Sequence, residues 1–257
     1  MVFSWSFVCC VRIWCLVMKR PLSEFYCLAD PDSDRLLATP EDKFGPAGPD
    51  FTPCPANPGH RRCTTPPGDE YLDAIANVRV SHNKRDQTLI WTWPPWPFVV
   101  IHDRLTENLK AEGFSGYSLR PATVRFRDGF LSHEFKKLLV VGWGGLARPE
   151  SGIRLDHACS GCLYKSYTEL SDAGELVDKN QWTGEDLFVV WPMPYFIFIT
   201  SRLAEFLTTS KIKSFSLRAL EKTAEPFAGK GGFGVGSLGD NFPRALALKY
   251  GRPLGIA

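Results

Sequence analysis

Residues 191–207 read WPMPYFIFITSRLAEFL, and residues 93–109 read WPPWPFVVIHDRLTENL. The chain writes one phrase twice. In each copy a short apolar run, FVVI at 98–101 and FIFI at 196–199, suits a buried strand. A capping residue follows, Asp103 or Ser201, whose oxygen can accept from the free N–H groups of a helix start. Next come leucines four apart, Leu105 and Leu109 in one copy and Leu203 and Leu207 in the other, the spacing of one helical face. Gly113 is a natural stop for the first helix. The tripeptide SLR, at 118–120 and 216–218, then opens a second strand, and Val124 and Phe126 continue it on one face.

Without gaps, Trp93, Pro94, Phe98, Ile101, Arg104, Leu105, Glu107, Leu109, Ser118, Leu119 and Arg120 all recur 98 residues later, from Trp191 to Arg218. The shared positions are strand and helix core positions, and Trp-Pro and Ser-Leu-Arg at one fixed offset argue against coincidence. The pattern predicts an α+β fold, a mixed sheet built from two similar strand–helix–strand units at 93–120 and 191–218. One such unit cannot bury both faces, so the copies are expected to pack together or to extend one sheet.

Outside the repeat, QTLIWTW at 87–93 and EFKKLLVVGWGG at 134–145 read as strands. Residues 28–70 are rich in Pro, Gly and Asp. They read as loop that needs something to tie it down, since they bury too little apolar surface to order themselves. The expected domain is 18–222, with 223–257 as a glycine-rich C-terminal tail. GKGGFGVGSLGD at 229–240 is not a phosphate loop, because no Ser or Thr follows Lys230 and no clear strand precedes it. Residues 1–17 read as an extension outside the fold, with Met18 as an alternative start. Their apolar run is broken by Arg12, is shorter than a membrane helix needs, and has its Lys19 and Arg20 on the wrong side for export.

A net charge of +2 disfavours a dedicated nucleic-acid binder, which shows a strong basic excess. Of eight cysteines, Cys54, Cys63, Cys159 and Cys162 form two pairs. Close pairs in a chain long enough to build its own core read as metal ligands rather than as a disulfide scaffold. Cys159 and Cys162 form C-x-x-C in HACSGCLY, a turn that holds two thiolates on one tetrahedral Zn²⁺. CPANPGHRRC offers Cys54 and Cys63 as the second pair, with His60 as a substitute and His157 as a further candidate. The expectation is one structural zinc that pins the proline-rich loop. A redox dithiol, or four cysteines without a metal, are the alternatives; the former lacks its usual strand–helix setting. No serine lies in a nucleophile elbow and no carboxylate pair stands out, while His102 reads as a cap-region residue and His133 and Glu134 as solvated.

WPPWPFVVIHDRLTENLKAEGFSGYSLRPATVRFR, the later C-x-x-C, and EDLFVVWPMPYFIFITSRLAEFLTTSKIKSFSLRALE together resemble the double-CXXCG motif proteins, immunity proteins of bacterial polymorphic toxin systems. The resemblance covers about residues 50–222. Cys159 and Cys162 match the family's second motif, with Leu163 in place of its glycine. Cys54 and Cys63 stand where the first belongs, with eight residues between them instead of two. The resemblance implies a cytoplasmic, non-enzymatic protein that binds and neutralises a cognate toxin; the near-neutral charge and the short, interrupted apolar run add the expectation of neither nucleic acid nor membrane as partner. A zinc-ribbon module that binds protein or nucleic acid is the alternative, and a metalloenzyme would need an open metal position beside a general base.

Overall fold

The computed structural model describes residues 23–30, 38–41, 51–58, 61–63, 72–92, 98–162, 164–210, 212, 214–221 and 232–257. The expected 1–17 extension, Trp93, Pro94 and His60 lie outside the described residues. The strands are β1 (Phe25–Ala29), β2 (Thr39–Pro40), β3 (Phe51–Pro53), β4 (Arg61–Cys63), β5 (Ala76–Arg79), β6 (Leu89–Ile90), β7 (Phe98–His102), β8 (Tyr117–Arg125), β9 (Leu131–Val140), β10 (Gly142–Leu146), β11 (Leu155–Ala158), β12 (Lys165–Tyr167), β13 (Leu187–Trp191), β14 (Ile197–Thr200), β15 (Ser216–Ala219) and β16 (Phe233–Val235). Helix α1 (Asp103–Ala111) follows β7, and α2 (Ser201–Thr209) follows β14. The fold is α+β. The two repeated phrases form β7–α1–β8 and β14–α2–β15, each in a sheet of its own: β2-β5-β8-β9-β7-β6 and β10-β13-β14-β1-β15.

The units match in register as well as in order. Leu89 pairs with Ile101 and Ile90 with Val100; 98 residues later Leu187 pairs with Ile199 and Phe188 with Phe198. In both units one antiparallel strand lies between the two repeated strands, which are thereby parallel to each other. In the first unit it is β9, and in the second it is β1 from the start of the chain. Val100 and Arg120 face Lys137, while Phe198 and Arg218 face Cys27. The two central strands therefore correspond at an offset of 110, and their sequences echo each other: Glu24-Phe25-x-x-Leu28 and Glu134-Phe135-x-x-Leu138. Each half of the chain begins with the strand that completes the other half's sheet.

The helix-facing sides of both sheets and both helices share one core. Leu28, Leu105, Leu109, Leu138, Leu203 and Leu207 all belong to it, and the four helix leucines are at most 3% exposed. Two further clusters cover the outer faces, one around Phe25, Phe188 and Phe198, the other around Phe135, Val100 and Val124. The helix caps sit one residue earlier than the sequence suggests. His102 and Thr200 have the extended backbone of a cap, and their side chains accept from the N–H of Arg104 and Leu203. Asp103 and Ser201 are already helical.

The halves also clasp each other reciprocally. The loop after α1 gives the Ser115 carbonyl to Leu187 N–H, and the loop after α2 gives the Ser214 hydroxyl to Leu89 N–H. Gly116 enables the first contact. Its φ is +87°, and a Cβ there would lie 1.9 Å from the Leu187 oxygen. Buried Asp186 closes the clasp. It accepts from Ser115 N–H, the Thr200 hydroxyl and the Arg202 guanidinium, while Arg202 also donates to the carbonyls of Glu112 and Gly113 at the end of α1.

The expected C-terminal tail is corrected over 232–257. β16 pairs with β12, and Val235, Leu238, Phe242, Ala247 and Ile256 enter the main core. The glycines that suggest flexibility instead permit close packing. A Cβ at Gly232 would meet the Tyr167 carbonyl at 2.0 Å, and one at Gly234 would meet the Tyr164 hydroxyl at 2.1 Å.

Candidate metal centre

Cys54 follows β3 directly, in the proline-rich stretch that the sequence leaves without a core of its own. Cys159 and Cys162 sit on the turn between β11 and β12, which is closed by Cys159 N–H donating to the Tyr164 carbonyl at 2.9 Å. The fold brings these segments together across 105 positions. The Cys54 and Cys159 sulfurs are 3.5 Å apart, and those of Cys54, Cys159 and Cys162 all lie within 4.8 Å of one another. A disulfide needs about 2.05 Å, so the cysteines are free thiols. Three sulfurs on one tetrahedral zinc, each at about 2.3 Å, would stand about 3.8 Å apart. The donor set and its spacing fit a borderline-soft divalent ion.

Gly161, the second residue between the paired cysteines, makes the approach possible. A Cβ there would come 2.6 Å from the Ala56 Cβ and 3.1 Å from the Cys54 sulfur. Cys54 is only 1% exposed, while Cys159 and Cys162 are partly exposed. The centre is thus walled by protein behind Cys54 and faces outward at the turn. The turn itself is fixed at its far end, where Tyr164 packs on Gly234 and Lys165 Nζ donates to the Gly255 carbonyl at 3.0 Å.

The thiols divide electrostatically. Burial pushes the Cys54 thiol up, but the backbone N–H groups of Ala56 and Asn57, with the thiols of Cys159 and Cys162, more than offset this and hold it below the usual thiol range. Cys162 is pushed up to about 11, first by burial and then by its two sulfur neighbours, against the backbone N–H of Tyr164. Sulfurs sharing a site do not ionise independently. A cation among them removes that conflict by holding them as thiolates, and the N–H groups around Cys54 offset part of the charge.

Of the four expected ligands, three converge. Cys63 lies on β4 opposite Phe51, so the hairpin register sets its backbone three residues along from Cys54, about 10 Å of strand. Its side chain and His60 lie outside the described residues. The loose Cys54–Cys63 spacing is that of a hairpin rather than of a metal knuckle. His157 is exposed on β11 and is not one of the three clustered ligands. His102 is a helix cap with Nδ1 accepting from Arg104 N–H at 3.2 Å, as its sequence position suggests.

Sequence reasoning did not single out Gly161 or the Asp186–Arg202 clasp. Gly161 was legible only as a small residue inside C-x-x-C. Asp186 and Arg202 align with Thr88 and Arg104 in the other unit, so the repeat gave no second copy of the clasp to notice. Among the described residues, no helix is long and apolar enough to cross a membrane. No protein-family model matches the chain, and neither does any curated protein.

Proposed function

We propose that this chain is a cytoplasmic immunity protein that neutralises a cognate bacterial toxin by binding it, with a structural Zn²⁺ on Cys54, Cys159 and Cys162. The observation that carries the reading is the meeting of two cysteine-bearing segments at one point. Those segments stand where the double-CXXCG resemblance puts its two motifs. A zinc there ties the proline-rich loop of the first half to the β11–β12 turn of the second, because metal binding free energy becomes folding free energy. The result is a stiff, preformed surface, and binding to such a surface loses little free energy to ordering. Inhibition then works by occlusion. A stable interface buries about 1,200–2,000 Å² in total, and a few aromatic or arginine anchors carry most of its energy.

The test is co-expression in a bacterium with the toxin encoded by the adjacent gene. Growth is expected to recover only when this chain is present, and the two products are expected to co-purify as a stable complex. Persistent growth arrest together with no complex in a pull-down would reject the immunity reading. A general protein- or nucleic-acid-binding module built on the same zinc knuckle would then take its place.

A further inference from the structure

At the end of the six-stranded sheet where β5 runs beside β8, a groove of about 440 Å³ opens to solvent. Arg79, Arg125 and Arg127 line it with the buried ring of Phe126, and no acidic residue among the described ones does. Arg79 and Arg125 are partners in the parallel β5–β8 register, which sets two guanidiniums side by side. One carboxylate answers both. Glu41 Oε1 accepts from Arg79 Nε at 3.2 Å and Nη2 at 3.1 Å, and from Arg125 Nε at 2.7 Å. A guanidinium carries five N–H donors. Among the described residues, neither the terminal nitrogens of Arg125 nor the guanidinium of exposed Arg127 has a hydrogen-bond or ion-pair partner. Three guanidiniums against one carboxylate leave two positive charges facing the groove.

The adjoining turn supplies an apolar rim. Phe126 N–H donates to the Phe130 carbonyl, and Gly129 forms part of the groove wall. Phe130 is 47% exposed and Leu131 41%. The Arg85 guanidinium lies 4.2 Å over the Phe130 ring and is held there by Asp128 at 2.6 Å. Exposed aromatic and arginine side chains in one patch are the composition of binding hot spots.

We infer that this patch is the docking surface for an acidic segment of a partner protein. An Asp or Glu carboxylate enters the groove between Arg125 and Arg127, and an adjacent apolar side chain covers Phe130 and Leu131. The inference rests on the proposed role as a protein-binding protein and names the surface that does the binding. Arginine forks suit a carboxylate, which they grip by paired N–H donors. A nucleic-acid strand fits less well. Glu41 and Asp128 stand at the same edge, and two uncompensated charges fall short of the ~6–10 phosphate contacts of a typical strongly salt-dependent nucleic-acid binder.

The test is calorimetric titration of the full chain with the adjacent gene's product, for wild type, Arg127→Glu and Phe130→Ala. Both positions are exposed, and matching melting temperatures establish that the variants fold. Arg127→Glu is expected to weaken binding about tenfold or more at low salt, through slower association, and less at high salt. Phe130→Ala is expected to weaken it about tenfold at either salt. A complex that forms equally well with both variants overturns this surface and leaves the proposed function standing. If wild type does not bind the neighbour, the proposed function fails, and the surface is judged with a blocked Phe-Glu-Glu-Glu peptide followed by arginine side-chain NMR. Shifts at Arg79, Arg125 and Arg127 in wild type, with those at Arg79 and Arg125 lost in Arg127→Glu, support the site. No shifts, or larger ones with a single-stranded oligonucleotide, overturn it.

Discussion

Replacing Asp186 with asparagine tests the clasp that joins the two halves. The Asp186 side chain is 9% exposed. It accepts from Arg202 Nη2 at 2.7 Å and Nε at 3.1 Å, from the Thr200 hydroxyl at 2.9 Å, and from Ser115 N–H at 3.1 Å. Asparagine keeps the shape and removes the charge. A hydrogen bond to a charged group contributes about 1.5–3 kcal/mol and a neutral one about 0.5–1.5, so the two arginine bonds together lose about 2 kcal/mol. The Arg202 side chain is 54% exposed and recovers hydration, which caps that loss. The carboxamide NH₂ must also face a donor where an acceptor oxygen stood, which adds about 1 kcal/mol. Urea unfolding at pH 7 should therefore show Asp186→Asn less stable by about 2–3 kcal/mol with an unchanged m value.

The pH dependence gives the sharper readout. Burial pushes the Asp186 carboxyl up, but the Arg202 guanidinium, the Thr200 hydroxyl and the Ser115 N–H together hold it below the usual carboxylate range. Because the folded pKa is depressed, its stabilisation is fully present above the unfolded pKa of about 3.9 and is lost as pH falls through the folded value. The gap between wild type and variant should stay constant from about pH 5 upward and narrow below about pH 4. Comparing the two proteins cancels any acid loss of metal, which both share. A gap below about 0.5 kcal/mol at pH 7, or one that does not narrow in acid, would refute the clasp as described.

The metal centre predicts that Cys159→Ser and Gly161→Ala both lower the zinc recovered per chain, whereas Cys63→Ser keeps it; loss of zinc only in Cys63→Ser would reverse the assignment. Leu203→Ala, at a side chain 1% exposed, should cost about 2–5 kcal/mol in urea unfolding, and Leu105→Ala, its counterpart at 3%, should fall in the same range. A cost below about 1 kcal/mol at one of them would show that the two helices do not share a core as equals. Lys137 is 3% exposed on the outer face of β9, with Nζ donating to the Ala74 carbonyl at 2.6 Å. Burial pushes its amine down to about 8, with Asp73 pulling it back up and Arg120 pushing it down. At Lys137 the folded state therefore binds fewer protons than the unfolded one between about pH 8 and 10.4, so the cost of burying this amine is relieved as pH rises across that window. Lys137→Met should be more stable than wild type at pH 7, by a margin that shrinks as pH rises across that window; a margin that stays constant there would contradict this.

The strand–helix–strand units were legible because their reading depends on local periodicity. Apolar runs, leucines four apart and a cap are set within ten residues, and they repeat at one offset. The equivalence of β1 and β9 was also written in the chain, as Glu-Phe-x-x-Leu at 24–28 and 134–138. It falls at an offset of 110 rather than 98, so a gapless comparison passes over it. That β1 completes the second sheet was not legible, because pairing partners about 170–190 residues away are chosen by which sheet has an open slot of the right register. The glycines at 232 and 234 look like flexibility in one dimension. In three they are where backbone must pass a tyrosine carbonyl or hydroxyl. Cysteine spacing pointed to a metal and to Cys159 and Cys162, since a two-residue gap fixes two thiols on one turn. That Cys54 joins them depends on the close approach at Gly161. That approach is between segments more than a hundred residues apart, which sequence spacing does not encode and only the packed chain decides.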